Sequence, residues 1–380
     1  MLKGITYLNS ALRGAPSLSV TNAMKKSIEV WSRRGVLWDD SMNDIIAIKT
    51  SFAKMIGAQE SEIAIVPSVS AGLVAVASSL KLNGEKRNGV VSSLNFVANK
   101  VMWQRMQERG ALRQVSLLEA KQGEIPLESY EKSIDDETAI VAVDHVSGFN
   151  GFLERVEEIS EVAHRHGAIL VVDAYHSFGT MAIDVKKLGA DVLVSGFSKW
   201  MCGPAGAACL YVNSEILDRL DPIYLGWQGV RGNIVERKLE GKGLFDAPFK
   251  DFQPSSSSAR FEWGTWSPPV LKGVLESLKF VLKSNQAHKY STIEKRKSEI
   301  LDGLKELGVE ILTPEGTLSA GGIAAFKIKG EKEYAERVAK GKVIIAANFG
   351  RVVASPHFYN SHEDVEKFLD VTKEYRRRTA

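Results

Sequence analysis

The stretch "VVDAYHSFGTMAIDVKKLGADVLVSGFSKW", from Val171 to Trp200, indicates the fold class of this chain. One apolar run in it ends at Asp173, a second is followed by Lys199, and a helix-length crossover separates the two runs. Runs rich in Val, Ile and Leu that alternate with helices are typical of a parallel sheet covered by helices on both faces. Residues that follow such runs lie at the carboxyl edge of the sheet, where open α/β sheets bind ligands. We therefore expect Asp173 and Lys199 at one edge of the sheet.

The segments around this stretch continue the alternation. "EIAIVPSVSAGLVAVASSL" predicts a strand, a serine-rich turn and a helix; "NGVVSSLNF" and "TAIVAVDHVS" predict strands; "LERVEEISEVAHRHG" predicts an amphipathic helix. Further along, two helices precede the strands "GGIAAFKIKG" and "KVIIAANFG", a pattern typical of a smaller α+β unit. We predict a large cofactor-binding α/β domain over residues 20–255, a small α+β domain formed by residues 1–19 and 256–380, and a linker over 240–262.

The composition is that of an ordinary globular protein. The 380 residues are 44% hydrophobic and 25% charged, and the formal net charge of +3 gives no reason to expect a nucleic-acid or membrane-surface partner. The sequence shows neither an apolar stretch long enough to cross a membrane nor an apolar signal segment. Its two cysteines, Cys202 and Cys209, cannot by themselves form a disulfide framework or a structural zinc site. We therefore expect no metal and a reducing, cytoplasmic setting.

A lysine and an aspartate at one sheet edge fit the chemistry of pyridoxal phosphate. Lys199 could form a Schiff base with an aldehyde cofactor, and Asp173 could pair with a pyridinium nitrogen. Taken alone, these two residues are explained as simply by a turn cap and an ion pair. The turn "PSVSAG" adds a helix N-terminus and the Ser70 hydroxyl, which could hold a phosphate, Phe96 could stack on a flat ring, and His176 could donate to a phenolic oxygen. Each of these three features also has an ordinary structural explanation.

Eight segments give the combined pattern a specific identity. They are "YLNSALRGAP", "VPSVSAGLVAVA", "LNFVANKVMW", "VDHVSGFNG", "VVDAYHSFG", "SKWMCGPAGAACLYV", "RFEWGTW" and "SPHFYNSHEDVEKFL". In this order and spacing they resemble, almost end to end, the class V aminotransferase family of fold-type I pyridoxal-phosphate enzymes, the group that holds cysteine desulfurases, kynureninase and isopenicillin N epimerase-like proteins. The resemblance implies the fold-type I architecture, pyridoxal 5'-phosphate as cofactor, a small amino compound as substrate, and a homodimer with shared active sites.

The resemblance also implies a role for each matching residue. Lys199 is implied as the catalytic Schiff-base lysine and Asp173 as the partner of the pyridinium nitrogen. His176 takes the position that hydrogen bonds the ring oxygen, and Phe96 takes the position that stacks on the ring. The resemblance implies that the phosphate is bound by the backbone of Val69 and by Ser70, Ser195 and Ser198. It implies that Thr265 reaches the phosphate of the neighbouring subunit.

The substrate-binding arginine departs from the family pattern. Family members usually carry an arginine that grips the substrate carboxylate as a bidentate fork, and "GRVVASPHFYN" places Val353 at that position. Arg351 lies two residues earlier, on the same face if the segment is a strand, and is one candidate for the role. Arg13 in "SALRGAP" is the other candidate, since the family's N-terminal segment also approaches the active site. A surface ion pair is the alternative for either arginine.

The cysteines restrict the reaction type. Cysteine desulfurases of the family need a mobile cysteine, usually in the small domain, and this chain has none beyond Cys209. Cys202, three residues after Lys199, is interpreted as a packed residue of the turn, which disfavours a desulfurase that stores sulfur on the protein. The leading hypothesis is transamination through an external aldimine, with Lys199 moving protons. A lyase acting directly on a C–S bond, an epimerase, and a non-catalytic cofactor-binding protein remain alternatives, and the missing nucleophile elbow disfavours a serine hydrolase.

Overall fold

The structure is a computed structural model that describes residues 2–35, 38–82, 84, 86–240, 253–348 and 350–379. Most of the linker expected over 240–262 therefore lies outside the described residues. The described strands are β1 (Thr6–Tyr7), β2 (Ile63–Val66), β3 (Asn88–Ser92), β4 (Gln114–Leu118), β5 (Thr138–Asp144), β6 (Ile169–Asp173), β7 (Val192–Gly196), β8 (Ala208–Val212), β9 (Glu310–Ile311), β10 (Ala324–Lys327), β11 (Val343–Ile344), β12 (Ala346–Asn348) and β13 (Arg351–Ala354).

Helices connect and cover these strands. None of the described helices is both long enough and apolar enough to cross a membrane. The described helices are α1 (Leu18–Arg34), α2 (Trp38–Ile56), α3 (Val69–Ser79), α4 (Ala98–Glu108), α5 (Leu127–Ser133), α6 (Val156–Arg165), α7 (Val185–Leu188), α8 (Ile234–Leu239), α9 (Pro268–Lys283), α10 (Gln286–Glu306), α11 (Glu331–Lys340) and α12 (His362–Thr379).

A seven-stranded sheet organises the larger part of the chain. Its order is β2-β8-β7-β6-β5-β3-β4. Strand β8 runs in the opposite direction to the other six strands, which all run the same way. All residues of β5, β6 and β7 are buried, as expected of central strands covered on both faces. The predicted mostly parallel sheet of the fold-type I architecture is confirmed.

Helices pack on both faces of this sheet, and α6 illustrates why. Its apolar residues Val156, Ile159 and Ala163 recur every three or four positions and are all buried against the sheet. The helix ends before Gly167, whose φ of +66° lies in the left-handed region that favours glycine. Buried residues of α2, α6 and α9 form the core on one face, and those of α3 and α4 form the core on the other.

The smaller unit combines two short sheets. One has the antiparallel order β12-β13-β10-β9, and in the other β1 pairs in parallel with β11. The predicted strand "KVIIAANFG" is thus divided, because β11 pairs with the N-terminal segment whereas β12 pairs with β13. A core on α10, α11 and α12 covers this part. The domain boundaries stay predictions; α9, expected in the small domain, packs against α1, α2 and the core of the large sheet.

Candidate active site

Lys199 lies at the centre of a polar cluster just beyond the end of β7. Its Nζ is 2.7 Å from His176 Nε2, 4.2 Å from the centroid of the Tyr175 ring and 5.8 Å from that of Phe96. Burial lowers the pKa of Lys199 to about 8, although the charges of Asp173 and Asp144 oppose this shift. The structure therefore places a lysine with a readily lost proton at the carboxyl edge of the sheet.

His176 is held as a neutral imidazole beside this lysine. Burial, together with the charges of Lys199 and Arg351, lowers the pKa of His176 well below its ordinary value. Its Nε2 faces the Lys199 amine. Its other ring nitrogen, Nδ1, is buried and has no hydrogen-bond partner in the described part of the chain. The close approach of the ring requires glycine at position 148, where a Cβ would collide with His176 Nε2.

Two carboxylates end adjacent strands at the same edge. Asp144 closes β5 and Asp173 closes β6, and the two are paired in register. Burial raises the pKa of Asp173 to about 6, while the Tyr175 N–H, at 2.9 Å from Oδ1, and the charge of Lys199 lower it. Burial and the nearby charge of Asp173 raise the pKa of Asp144 well above its ordinary value. The sequence pattern that predicts Asp173 at this edge, a carboxylate closing an apolar strand, applies equally to Asp144.

Asp144 fixes the loop that carries Phe96. Its Oδ2 accepts the Phe96 N–H at 2.7 Å, and its Oδ1 accepts the side-chain amide of Asn99 at 2.9 Å. Asn95 adds two bonds to β5, from its Nδ2 to the Ala142 carbonyl and from the Asp144 N–H to its Oδ1, both 2.8 Å. Strand β3 therefore ends at Ser92, and Phe96 lies in the following loop rather than at the strand end we had expected. Phe96 is 55% exposed, so its side chain is accessible for stacking.

The turn expected to hold a phosphate does open a helix. Ser68 caps α3, its hydroxyl accepting the Ala71 N–H at 3.1 Å, so the N–H groups of Val69 and Ser70 point out of the helix end unpaired with other described residues. Ser70 is exposed, and Ser198 Oγ lies 2.7 Å from the Tyr175 hydroxyl. The N–H groups of Val69 and Ser70 are the kind of donors that bind an anion at a helix N-terminus.

Three other expected residues occupy different surroundings. Ser195 is fully buried in β7, and its hydroxyl donates to the carbonyls of Ala174 and Gly196 at 3.5 and 3.4 Å. Thr265 is exposed in the segment before α9, and among the described residues no hydrogen bond ties it to the Lys199 cluster. The Arg13 side chain is exposed, and its charge acts on Tyr7 rather than on the cluster. Their expected roles stay predictions.

Arg351 reaches the cluster from β13. Its Nη2 donates to the Gly148 carbonyl at 3.2 Å, and its guanidinium carbon lies 4.3 Å from the centroid of the Phe149 ring. The buried Nε has no hydrogen-bond partner within the described ranges. Val353, two residues further on, is only 5% exposed and packs in an apolar cluster. Arg351 thus brings a partly unpaired cation close to His176, and Val353 does not face a polar site.

The N-terminal segment closes over the backbone of the lysine turn. The Gly14 N–H donates to the Ser198 carbonyl at 2.8 Å, and a Cβ at position 14 would collide with the Lys199 carbonyl oxygen. The same segment is anchored in the smaller unit, because the Leu8 carbonyl accepts the Ser355 N–H at 2.7 Å and the Ser10 N–H donates to the Ser355 carbonyl at 3.2 Å. Glycine at position 14 therefore permits a direct contact between the chain terminus and the site.

The described residues fit pyridoxal phosphate on chemical grounds. A lysine amine of lowered pKa can attack the aldehyde, and no hydrogen bond from the described residues reaches Oδ2 of Asp173, so this oxygen can receive a ring N–H. The unpaired imidazole nitrogen of His176 and the helix N-terminus at α3 supply donors for the ring oxygen and the phosphate. Within the described ranges, no cluster of His, Cys, Asp and Glu could hold a metal ion.

Comparison with known proteins agrees with this chemistry. A family model described as Aminotransferase class-V matches residues 29–368. The chain is 30% identical over 365 residues to the "Uncharacterized aminotransferase YcbU" of Bacillus subtilis (strain 168), covering 96% of this chain and 93% of that protein. It is also 30% identical to a "Probable cysteine desulfurase" of Halalkalibacterium halodurans, covering 77% and 72% of the two chains. The apo structure of a cysteine desulfurase from Thermococcus onnurineus NA1 superposes with a TM-score of 0.86 at 25% identity, covering 99% and 96%.

The site and the match over most of the chain define a pyridoxal-phosphate-dependent enzyme of fold type I. The chain belongs to the class V aminotransferase family. When bound, pyridoxal phosphate supplies an aldehyde for amines and a protonated ring that withdraws electrons from the substrate Cα. The residues described above would hold it, with Lys199 at the aldehyde, Asp173 at the ring nitrogen and His176 at the ring oxygen.

Proposed function

We propose that the protein transfers the amino group of a small amino compound that carries a carboxylate. The observation that carries this proposal is the position of Arg351, whose guanidinium lies close enough to His176 for its charge to lower the pKa of that histidine. The guanidinium is oriented by Phe149 and by the Gly148 carbonyl, and its Nε remains unpaired among the described residues. A planar cation with free donors is suited to bidentate binding of a carboxylate.

The surrounding residues support proton transfer at the bound substrate. Lys199 Nζ, with its pKa lowered to about 8, could take up a proton at the substrate Cα and hold it for return, while bound pyridoxal phosphate would supply the electron withdrawal that makes this proton acidic. His176 stays neutral and so does not compete for that proton. Asp173 would stabilise a protonated ring nitrogen, since an ionised carboxylate favours a cation nearby. This division of roles is what transamination requires.

Arg351→Gln tests the proposal. We expect the variant to raise KM for an amino acid by about tenfold to a hundredfold with a smaller effect on kcat, because a bidentate charge-assisted pair is lost. KM for the corresponding amine without the carboxylate should not change. Protein loaded with pyridoxal phosphate would be incubated with a panel of amino acids and 2-oxo acids, and amino transfer followed by mass spectrometry of the new amino acid and new oxo acid.

A matched control is Arg337→Gln, which removes an arginine paired with Glu374 on the protein surface. This variant should behave like the wild type. Release of ammonia, sulfide or a racemised amino acid, without any new oxo acid from the donor, would contradict transamination. Equal loss of activity toward the amino acid and the plain amine in Arg351→Gln would contradict the assigned role of Arg351.

A lyase that breaks a C–S bond is the second candidate. The similarity to proteins named as probable cysteine desulfurases favours it. Cys202 and Cys209 are free thiols and both are buried, and burial raises the pKa of Cys202 to about 12. Neither is therefore suited to carry sulfur as a reactive thiolate. Such a lyase would pass sulfur to a small thiol or to solution, so sulfide release from cysteine or cystine distinguishes it from a transaminase.

The free thiols also support a proposed cytoplasmic location.

We also propose a homodimer with shared active sites. Exposed apolar side chains cluster around the Phe96 loop, with Phe96 at 55%, Val97 at 56% and Val101 at 54% exposure. Val74 on α3, at 47%, lies on the neighbouring helix. An apolar patch beside a binding site is typical of a protein interface. Thr265, exposed and not hydrogen bonded to the Lys199 cluster among the described residues, is then available to the phosphate of the partner subunit.

A further inference from the structure

Tyr175 connects three of the residues expected to bind the cofactor. Its backbone N–H donates to Asp173 Oδ1 at 2.9 Å, and its hydroxyl lies 2.7 Å from Ser198 Oγ. The face of its ring lies 4.2 Å from Lys199 Nζ, closer than the 5.8 Å to the Phe96 ring. The sequence motifs and the family resemblance assign no role to this residue.

The backbone of β7 makes room for the tyrosine ring. A Cβ at Gly196 would lie 2.7 Å from Tyr175 Cζ and 2.8 Å from its hydroxyl oxygen, closer than side-chain atoms can approach. Glycine at this position lets the ring lie against the strand end, half-buried between the sheet and Lys199. Tyr175 is thus held at its backbone by Asp173 and at its hydroxyl by Ser198, with the end of β7 packed against the hydroxyl end of the ring.

The ring face and the hydroxyl of Tyr175 contact different partners. The negative face of an aromatic ring attracts an ammonium group, so the ring favours one position and the charged form of the Lys199 side chain. When the Tyr175 hydroxyl donates to Ser198 Oγ, the serine proton is free to point at an anion. The tyrosine therefore acts on the lysine through its ring and on the phosphate donor through its hydroxyl.

We propose that Tyr175 is a positioning residue of the cofactor site, which holds Lys199 Nζ with its ring and orients the Ser198 hydroxyl toward the cofactor phosphate. This inference rests on the proposed cofactor role of Lys199 and Ser198. The two functions can be separated, because Tyr175→Phe removes only the hydroxyl whereas Tyr175→Leu removes the ring face as well.

The test compares the binding of pyridoxal phosphate with that of pyridoxal, which lacks the phosphate. Tyr175→Phe should weaken pyridoxal phosphate binding by about tenfold, the usual effect of one hydrogen bond to a charged group, and leave pyridoxal binding unchanged. Tyr175→Leu should in addition lower the pH midpoint of Lys199 labelling by about half a unit or more, since the charged amine loses the ring. Labelling is measured by borohydride trapping of pyridoxal on the apo protein and mass spectrometry of the Lys199 peptide.

Tyr211 offers matched control variants. It carries a lysine at its ring, Lys186 Nζ being 5.6 Å from the centroid, and the same Nζ donates to its hydroxyl at 3.2 Å. Tyr211→Phe and Tyr211→Leu therefore remove similar contacts from a buried tyrosine outside the Lys199 cluster. They should affect thermal unfolding without the selective loss of pyridoxal phosphate binding or the change in labelling midpoint.

The outcomes separate the inference from the proposed function. If Tyr175→Phe weakens pyridoxal and pyridoxal phosphate equally, or if both Tyr175 variants match the Tyr211 controls, the positioning role is overturned. If the wild-type protein takes up neither compound on Lys199, the proposed function fails and this inference fails with it. Tyr175→Phe retains the ring and its packing, so it tests the hydroxyl role even if Tyr175→Leu does not fold.

Discussion

The chemistry of Lys199 depends on what surrounds one nitrogen atom. Withdrawal from water lowers the pKa of its amine to about 8, whereas two buried carboxylates keep it from falling further. His176 contacts the same nitrogen as a neutral acceptor. An ordinary surface lysine is almost fully protonated at neutral pH, and an amine must lose its proton to attack an aldehyde. The surroundings therefore provide a usable fraction of nucleophile near neutral pH.

The rate at which apo protein attaches pyridoxal phosphate should follow this pKa. Below the pKa of Lys199 the amine is protonated and unreactive, so the rate should rise about tenfold per pH unit and level off above pH about 8. Stopped-flow absorbance at a series of pH values measures it. Lys199→Ala should show no visible band and no such rise, and a midpoint near that of a free lysine would contradict the assigned environment.

At the scale of strands and loops, the sequence predicted the strand ends better than the connections between them. Apolar runs define β5, β6 and β7, and their ends place Asp173 and the Lys199 turn at one edge, as observed. The position of Phe96 was missed because the end of β3 is set by Asn95 and Asp144, which are distant from each other in sequence. The role of Tyr175 was missed for the same reason, since Ser198 and Lys199 come from the turn that follows a different strand, β7.

The division of "KVIIAANFG" was equally hidden in the sequence. Its apolar residues predict one strand, and only the arrival of the N-terminal segment separates β11 from β12. Arg351 could be proposed from its spacing, but its orientation depends on Phe149 and the Gly148 carbonyl, which come from another part of the chain. Local patterns predict elements, and long-range contacts decide which side chains meet.

Asp144→Asn should weaken the Phe96 loop and, through it, the cofactor site. Asparagine cannot accept both the Phe96 N–H and the Asn99 amide as well as the carboxylate does, and its own NH2 group faces a donor. We expect pyridoxal phosphate to bind about tenfold more weakly, since charge-assisted bonds are lost. Equilibrium titration of cofactor absorbance measures the change.

The matched control is Asp191→Asn at the opposite edge of the same sheet. Asp191 is also buried, and its Oδ2 accepts the Leu170 N–H at 2.8 Å and contacts His164 Nε2 at 2.9 Å. Both variants should lose unfolding free energy, on the order of 1–3 kcal/mol. Only Asp144→Asn should lose cofactor affinity, and an equal loss in both would show that Asp144 acts through general stability alone.

At the scale of the whole molecule, the interface of the proposed dimer would cover the open side of the cofactor site. The exposed apolar patch at Phe96, Val97 and Val101 lies on the loop and helix directly beside the Lys199 cluster. Burial of such a patch between two copies would remove water from the open side of the ring-stacking position. Affinity for the cofactor and dimer formation should therefore depend on each other.

Val101→Glu should shift the protein toward the monomer and weaken cofactor binding at low protein concentration. A charge in the centre of an apolar interface must lose its hydration on association, which is costly without a partner. Light scattering coupled to gel filtration measures the mass, with and without pyridoxal phosphate. Leu117→Glu, at an exposed leucine on the outermost strand β4, is the control and should leave the mass unchanged.

The contact of Gly14 with the lysine turn also bears on the order of events during synthesis. The segment that covers Lys199 is translated before the large sheet, whereas Ser355, whose hydroxyl donates to the Leu8 carbonyl across 347 positions, is translated after it. A contact of such long range forms late, because the intervening chain must be ordered before its ends can meet. A nascent chain can therefore build the large sheet and still expose the lysine turn, which becomes covered only when Leu8 and Ser355 have met.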